Sequence, residues 1–315
     1  SGDVIDLSSI KGLKVDKHST GGVADSTSLA LAPILACAGL QVAKMSGRGL
    51  GFSGGTIDKL ESIPGFNTSL SEERFAEVVN EVGCSIIGQT TDVAPADKKI
   101  YALRDVTGTV DCMPLIASSI MSKKLASGSD VILLDVKFGS GAFMKNVDDA
   151  IALAELMVKI GENAGKTVGA LITSMQQPLG DKAGNSLEIL SVIDLLKGEK
   201  SRLLTEVTEV AVKLILLSKF AKDERQAEEM VEKAISSGEA FKRFVKMVEL
   251  HGGDTSYILN PEKFELGKIA PIYAKASGYI SKIYGYPELK LIIIIGALSP
   301  FFNSLSTQFA SVLKR

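Results

Sequence analysis

The run DVILLDV at residues 130–136 constrains this chain more than any other feature. Successive residues of a strand point to opposite faces, so an almost unbroken apolar run needs cover on both sides. Four more short apolar runs follow the same logic: LKV (13–15), VAKMS (42–46), CSIIG (84–88) and VGALIT (168–173). Between them, ADSTSLALAPILACAGL, SEERFAEVVNEVG and DDAIALAELMVKIGENAG carry apolar residues at helical spacing. Strands alternating with helices predict an α/β fold with a mostly parallel central sheet flanked by helices.

From about residue 186 to 249 the strand signal gives way to successive helices, and after HGGDTSYILNP (251–261) the texture turns to short runs with Gly and Pro. The expected division is an α/β domain over 1–254 and a partial, small C-terminal α+β domain over 255–315. The longest apolar run, LIIIIGAL (291–298), is far short of the roughly 20 residues that span a bilayer and reads as a strand. The opening SGDVIDLSSIKG has no basic region followed by an apolar stretch, so no secretory signal is read and a cytoplasmic location is expected.

The chain has 315 residues with 35 basic and 37 acidic side chains, a formal charge of −2. That near-balance argues against a generally basic nucleic-acid binder, so any anion is held by a few placed groups. Three cysteines without a C-x-x-C pair read as small buried hydrophobes in a reducing compartment, and two histidines exclude a multi-histidine metal site.

Three segments carry groups suited to chemistry. Lys17-His18-Ser19-Thr20-Gly21-Gly22 lies between a strand and a helix, with two glycines for close backbone approach, a lysine and two hydroxyls. It suits an oxyanion but is not a Walker loop, and taken alone a Gly-Gly turn is more often a plain βα connection. A second loop, SGRGLGFSGGT (46–56), holds five glycines in nine residues and also follows a strand. Loops at the carboxyl ends of strands line one crevice, so the two loops are expected to face one anion. On the helical segment PLIASSIMSKKLASG, Ser119 and Lys123 are four apart and share a face, with Arg104 upstream. From pattern alone this is either a solvated basic face or a site for a ring bearing carbonyl oxygens. His18 is a potential proton or hydrogen-bond donor, and His251, beside two glycines, reads as a helix-end cap.

Together VDKHSTGGVAD (15–25), KMSGRGLGFSGGTIDKLESIPGF (44–66), IIGQTTDVAPADKKIYALRDVTGTVD (86–111), PLIASSIMSKKLASGSD (114–130) and DVKFGSGAFM (135–144) resemble the pyrimidine-nucleoside phosphorylase family, which includes thymidine phosphorylases. The resemblance runs from residue 1 to about 283. It implies the nucleoside phosphorylase/phosphoribosyltransferase type of fold. It also implies a pentosyltransferase of pyrimidine salvage that converts uridine or thymidine plus phosphate into free base and pentose 1-phosphate, with inversion. Lys17, Ser19, Ser28, Ser46 and Thr56 match the phosphate-binding positions, with Lys44 close by. His18, Arg104, Ser119 and Lys123 match those that hold the pyrimidine, and His18, Arg104 and Lys123 are the expected catalytic groups.

Inorganic phosphate is then the co-substrate, with no further cofactor required. A K+ ion is bound in some bacterial members partly by the carbonyl of a glycine, which Ala24 replaces here. The family is homodimeric, and the resemblance sets a helical segment ahead of residue 1 at the dimer contact and one side of the cleft. Phe52-Ser53 stands where the family has His-Thr, and beyond 283 the family pattern is lost. Two other functions compete: an anthranilate-type phosphoribosyltransferase, which needs acidic residues for magnesium near the helical segment, and a non-catalytic protein that keeps only phosphate binding.

Overall fold

The computed structural model describes residues 4–49, 54–89, 94–109 and 112–265, and the backbone of strands at 278–286 and 291–298. Five parallel strands form the centre. β1 (Val15–Ser19), β4 (Val131–Phe138) and β5 (Thr167–Ser174) pair in the order β1-β4-β5, and β2 (Val42–Ser46) pairs with β3 (Cys84–Gly88). A parallel bridge between Lys14 and Gln41 joins the two groups, giving the lateral order β3-β2-β1-β4-β5. The order reverses beside β1, which is where a crevice opens at the carboxyl ends of the strands.

The apolar run that anchors the sequence reading does what its composition requires. In β4, Val131 and Leu133 enter one core while Ile132, Leu134 and Val136 enter a second on the opposite face. The first core is closed by α1 (Thr27–Cys37), α7 (Asn185–Leu196), α8 (Arg202–Leu217), α9 (Glu224–Ser236) and α10 (Glu239–Leu250). The second is closed by α5 (Met113–Ala126) and α6 (Val147–Asn163), and a third, smaller core sets α3 (Glu72–Val82) against β2 and β3. Each fully buried Leu, Ile or Val contributes about 1.5–3 kcal/mol relative to exposure, so β4 is the best-anchored strand. Helix limits follow local chemistry. The Ser71 hydroxyl accepts the Arg74 N–H at the start of α3, and Gly83, in the left-handed region at φ 88°, ends it. Asn146 caps α6 in the same way through the Asp149 N–H.

Three expectations need adjustment. β1 starts at Val15 and runs on through Lys17, His18 and Ser19, so half of the expected first loop is strand, held by β4 in parallel register. The division expected at residue 255 falls just before a short helix, Ser256–Leu259, whose Ile258 joins the first core together with Phe264. Core packing therefore continues past it, through Ile258 and Phe264. Among the cysteines, Cys84 is buried with its thiol pushed up to about 12 by desolvation, whereas Cys112 is exposed at the start of α5. LIIIIGAL forms a strand (β7, Leu291–Leu298) in an antiparallel pair with β6 (Gly278–Tyr286). Among the described residues no helix is long and apolar enough to cross a membrane.

Candidate active site

One cleft of about 610 Å³ opens at the carboxyl ends of β1 and β2. One wall is made by the two glycine loops: Ser19, Gly21, Gly22, Ser28, Lys44, Ser46 and Thr56 line it. The other is made by α5 and α4 (Pro95–Thr107), which contribute Arg104, Ser119 and Lys123. His18, at the end of β1, lines the same space. Thus the two glycine loops do face one cavity, and the third constellation is a cleft wall rather than a solvated face. Arg104 and Ser119 are buried, at 4% and 6% exposure. Residues 50–53, which include Phe52 and Ser53, lie outside the described residues.

The helical spacing of Ser119 and Lys123 brings them into contact. The Lys123 ammonium donates to Ser119 Oγ (3.1 Å) and to Asp97 Oδ2 (3.0 Å), and Asp97 lies two turns before Arg104 on α4. Arg104 reaches back from α4 to donate to the Leu115 carbonyl at 3.4 Å, tying the two helices together.

Below the cleft floor lies a buried cluster that sequence reasoning did not find. Asp16 on β1 binds Lys44 Nζ at 3.1 Å and Lys124 Nζ at 2.7 Å, and Lys44 also donates to the Lys17 carbonyl at 2.5 Å. Burial alone would raise the Asp16 carboxyl, but Lys124 and Lys44 outweigh it and bring it down to about 2. Burial dominates at Lys44, lowering its ammonium to about 8 despite Asp16. Desolvation, followed by the charges of Lys124 and Lys44, holds His18 well below its ordinary value, so its imidazole is neutral at pH 7.

Lys17 is placed differently from its neighbours. It is 2% exposed, sits on the opposite face of β1 from Asp16 and His18, and ion-pairs with Asp135 at 2.7 Å. It is not among the side chains that line the cleft. Asp135 also binds Lys137 (2.8 Å), which in turn pairs with Glu206 on α8. Burial would raise Asp135, but Lys17 and Lys137 hold it below the ordinary carboxylate value. Burial raises Glu206 despite its partner.

A further pair, Lys59 to Glu188 (2.7 Å), sits where Lys59 also donates to the Asp25 carbonyl (2.6 Å) and Ser26 Oγ to Glu188 (2.9 Å). Ser19 Oγ donates to Asp25 (2.6 Å), and although burial opposes it, Lys17, Lys137 and Lys59 keep that carboxyl well below its usual range. A faint signal for some of these groups is present: Asp135 and Lys137 are charges within an otherwise apolar strand, and Asp97 is seven residues before Arg104.

Although the chain carries −2 overall, the cleft is lined by six basic side chains and two acidic ones among the described residues. Such a cavity concentrates anions without a basic exterior. The Ala24 carbonyl accepts the Gly180 N–H at 3.1 Å, so it is already engaged, and no cluster of three or more His, Cys, Asp or Glu side chains that could hold a metal occurs among the described residues.

A parallel sheet with order reversal, two glycine loops at strand ends and a cleft lined by basic side chains define an α/β fold with an anion-attracting crevice at its switch point. The chain belongs to the family described as glycosyl transferase family, a/b domain, whose model matches residues 11–241. It is 53% identical over 285 residues to a pyrimidine-nucleoside phosphorylase of Staphylococcus epidermidis (strain ATCC 12228 / FDA PCI 1200). It is 52% identical over the same length to one of Staphylococcus aureus (strain USA300). Each comparison covers 90% of this chain and 66% of the relative, so the chain spans just under two thirds of their length.

The fold is similar to that of anthranilate phosphoribosyltransferase from Thermus thermophilus, with a TM-score of 0.60 at 18% identity, covering 77% of this chain and 79% of that one. The Saccharomyces cerevisiae enzyme in complex with PRPP and Mg gives a TM-score of 0.57 at 10% identity, covering 79% and 76%.

Proposed function

We propose that this cleft carries out phosphorolysis of pyrimidine nucleosides. The observation that carries the reading is the pairing of its walls: hydroxyls and Lys44 on one, Arg104, Ser119 and Lys123 on the other, within one cavity. Ser28, Ser46 and Thr56 donate to phosphate, and Ser19 does so once its hydroxyl turns from Asp25, each hydrogen bond to a charged oxygen contributing about 1.5–3 kcal/mol. Lys17 reaches the phosphate only if it leaves Asp135, so in the resting arrangement it holds the strand rather than the anion.

A phosphate oxygen bonds to the anomeric carbon as the bond from that carbon to the base nitrogen breaks, and the electron pair passes into the pyrimidine ring. Arg104 and Lys123 face the ring carbonyl oxygens where that charge gathers, which is where fixed positive groups lower a barrier most. His18, being neutral, serves as an N–H hydrogen-bond donor to a ring carbonyl and not as an imidazolium acid. Holding phosphate and sugar between two walls supplies orientation. Uridine and thymidine are both within this reading, as are a homodimer and a cytoplasmic enzyme.

The anthranilate-type alternative rests on the fold alone. It calls for acidic magnesium ligands near α5, and among the described residues the carboxylate lining the cleft there, Asp97, is engaged by Lys123. The test is phosphate-dependent release of uracil or thymine from uridine or thymidine by the purified chain, with pentose 1-phosphate formed in equal amount. No release, with saturable phosphate binding retained, would reduce the chain to an anion-binding protein.

A further inference from the structure

The second glycine loop is drawn tight at its stem. Asp58, one turn into the short helix α2 (Thr56–Leu60), accepts two backbone N–H groups on a single carboxylate oxygen: Gly49 at 2.6 Å and Gly55 at 2.8 Å. Its other oxygen faces the Arg48 guanidinium at 3.3 Å, and Arg48 makes a two-pronged pair with Glu61 at 2.5 and 2.7 Å. Glu61 is held in turn by the Thr68 hydroxyl at 2.9 Å. The stem closes backbone on backbone. A Cβ at Gly55 would lie 2.3 Å from the Gly49 nitrogen and 2.5 Å from the Arg48 carbonyl carbon, so only glycine fits there.

Two hydroxyls flank this stem. Ser46 ends β2 on one side and Thr56 opens α2 on the other, and both line the cleft. Asp58 does not line it. Its carboxylate therefore acts through the backbone, fixing how far apart the end of β2 and the start of α2 stand.

We infer that Asp58 is a positioning residue for the anion subsite: by clasping the Gly49 and Gly55 amides it sets the spacing of Ser46 and Thr56 for one tetrahedral oxyanion. This rests on the phosphate reading of that wall given above. Both amides meet the same oxygen, so the clasp depends on an acceptor and not on a full negative charge. An Asp58→Asn variant, with its amide oxygen in that place, keeps the clasp and loses only the attraction to Arg48. Asp58→Ala loses both.

The experiment is titration of inorganic phosphate and, separately, of uridine, into the wild-type chain, Asp58→Ala and Asp58→Asn, with folding checked by circular dichroism. Asp58→Ala is expected to weaken phosphate by about tenfold or more while uridine changes little, since misplacing one hydrogen bond to a charged group is worth that much. Asp58→Asn is expected to recover most of the affinity. Unchanged phosphate affinity in a folded Asp58→Ala chain would overturn the inference, and so would an Asn variant as weak as the Ala one.

If the wild-type chain binds no phosphate, the functional reading fails and the clasp is judged by amide exchange alone. Gly49 and Gly55 should exchange slowly in the wild type and fast in Asp58→Ala. Equal rates would remove the clasp as well.

Discussion

The two walls of the cleft are built on different physics. The glycine-loop wall grows from β1 and β2 and rests on buried ion pairs: Asp16 with Lys44 and Lys124 on one face of β1, Lys17 with Asp135, Lys137 and Glu206 on the other. The helical wall is carried on side chains that project from α4 and α5. On α4, Ile100, Leu103 and Val106 remain at 47%, 59% and 78% exposure. The difference teaches where each kind of error would register. A change under the loop wall disturbs folding, because unpaired buried charges are costly. A change on the helical wall disturbs chemistry, because Arg104, Ser119 and Lys123 face the cleft rather than a buried ion-pair network under the sheet.

The largest expected effect breaks the loop wall. Lys137→Met strands Glu206 in the interior and leaves Asp135 with Lys17 as its remaining ion-pair partner, and losing one partner of a buried charged network costs about 3–5 kcal/mol. The raised Glu206 can take up a proton and soften the loss, so the lower end is expected, at about 3 kcal/mol. Chemical denaturation measures it. A loss below about 1 kcal/mol would place Lys137 among ordinary surface lysines.

The matching change on the helical wall is Arg104→Ala. It is expected to cut kcat/KM for uridine or thymidine by about 10²–10³-fold, the usual effect of removing one group aimed at developing negative charge. Phosphate binding should be untouched. If phosphorolysis continues unaffected, the assignment of α4 to the base is wrong, and the contrast between the walls goes with it.

How legible this was differs between fold and site. The alternation of apolar runs and amphipathic stretches disclosed every strand of the central sheet, because a covered parallel sheet leaves its pattern in the residues themselves. The first strand is displaced: LKV (13–15) shares only Val15 with Val15–Ser19, since charged and hydroxyl residues such as Lys17, His18 and Ser19 look like a loop until their partners are known. Local spacing puts Ser119 and Lys123 on one helix face but does not tell a cleft wall from a solvated one, and Ser46 and Thr56 stand out as site residues through the family resemblance. Asp16, Asp135 and Glu206 were not: each works by pairing with a lysine distant in sequence, and only the fold brings them together. Lys123 and Lys124 are neighbours that a sequence cannot tell apart, yet one turns to Asp97 and Ser119 and the other inward to Asp16.

Titration sharpens the comparison further. Lys44 has a pKa of about 8, and its charged form is the one that attracts phosphate. Phosphate affinity should therefore decline as pH rises above about 8, by no more than tenfold per unit. The stability sign is opposite: a folded-state value below the ordinary 10.5 makes charged Lys44 a cost that is relieved between about 8 and 10.5. Asp16 acts at the acid end. With its folded value near 2 against 3.8, its contribution of about 2 kcal/mol is complete above pH 4 and is lost as pH falls toward 2. Phosphate titrations from pH 7 to 9.5 check the first statement, and a flat profile would detach Lys44 from the anion.

The smallest effect concerns Ala24, between the loop wall and α1. It holds φ 54°, in the left-handed region that costs a residue with a side chain about 1–2 kcal/mol. Its carbonyl accepts the Gly180 N–H and its methyl is buried, so the conformation is imposed by the closing of residues 23–25 against 179–180. Glycine relieves the strain but frees the unfolded chain and gives up a buried methyl worth about 0.8 kcal/mol, so most of the gain cancels. Ala24→Gly should raise stability by less than about 1 kcal/mol. A clear destabilisation would mean that the methyl packing, and not the backbone, decides this corner of the cleft.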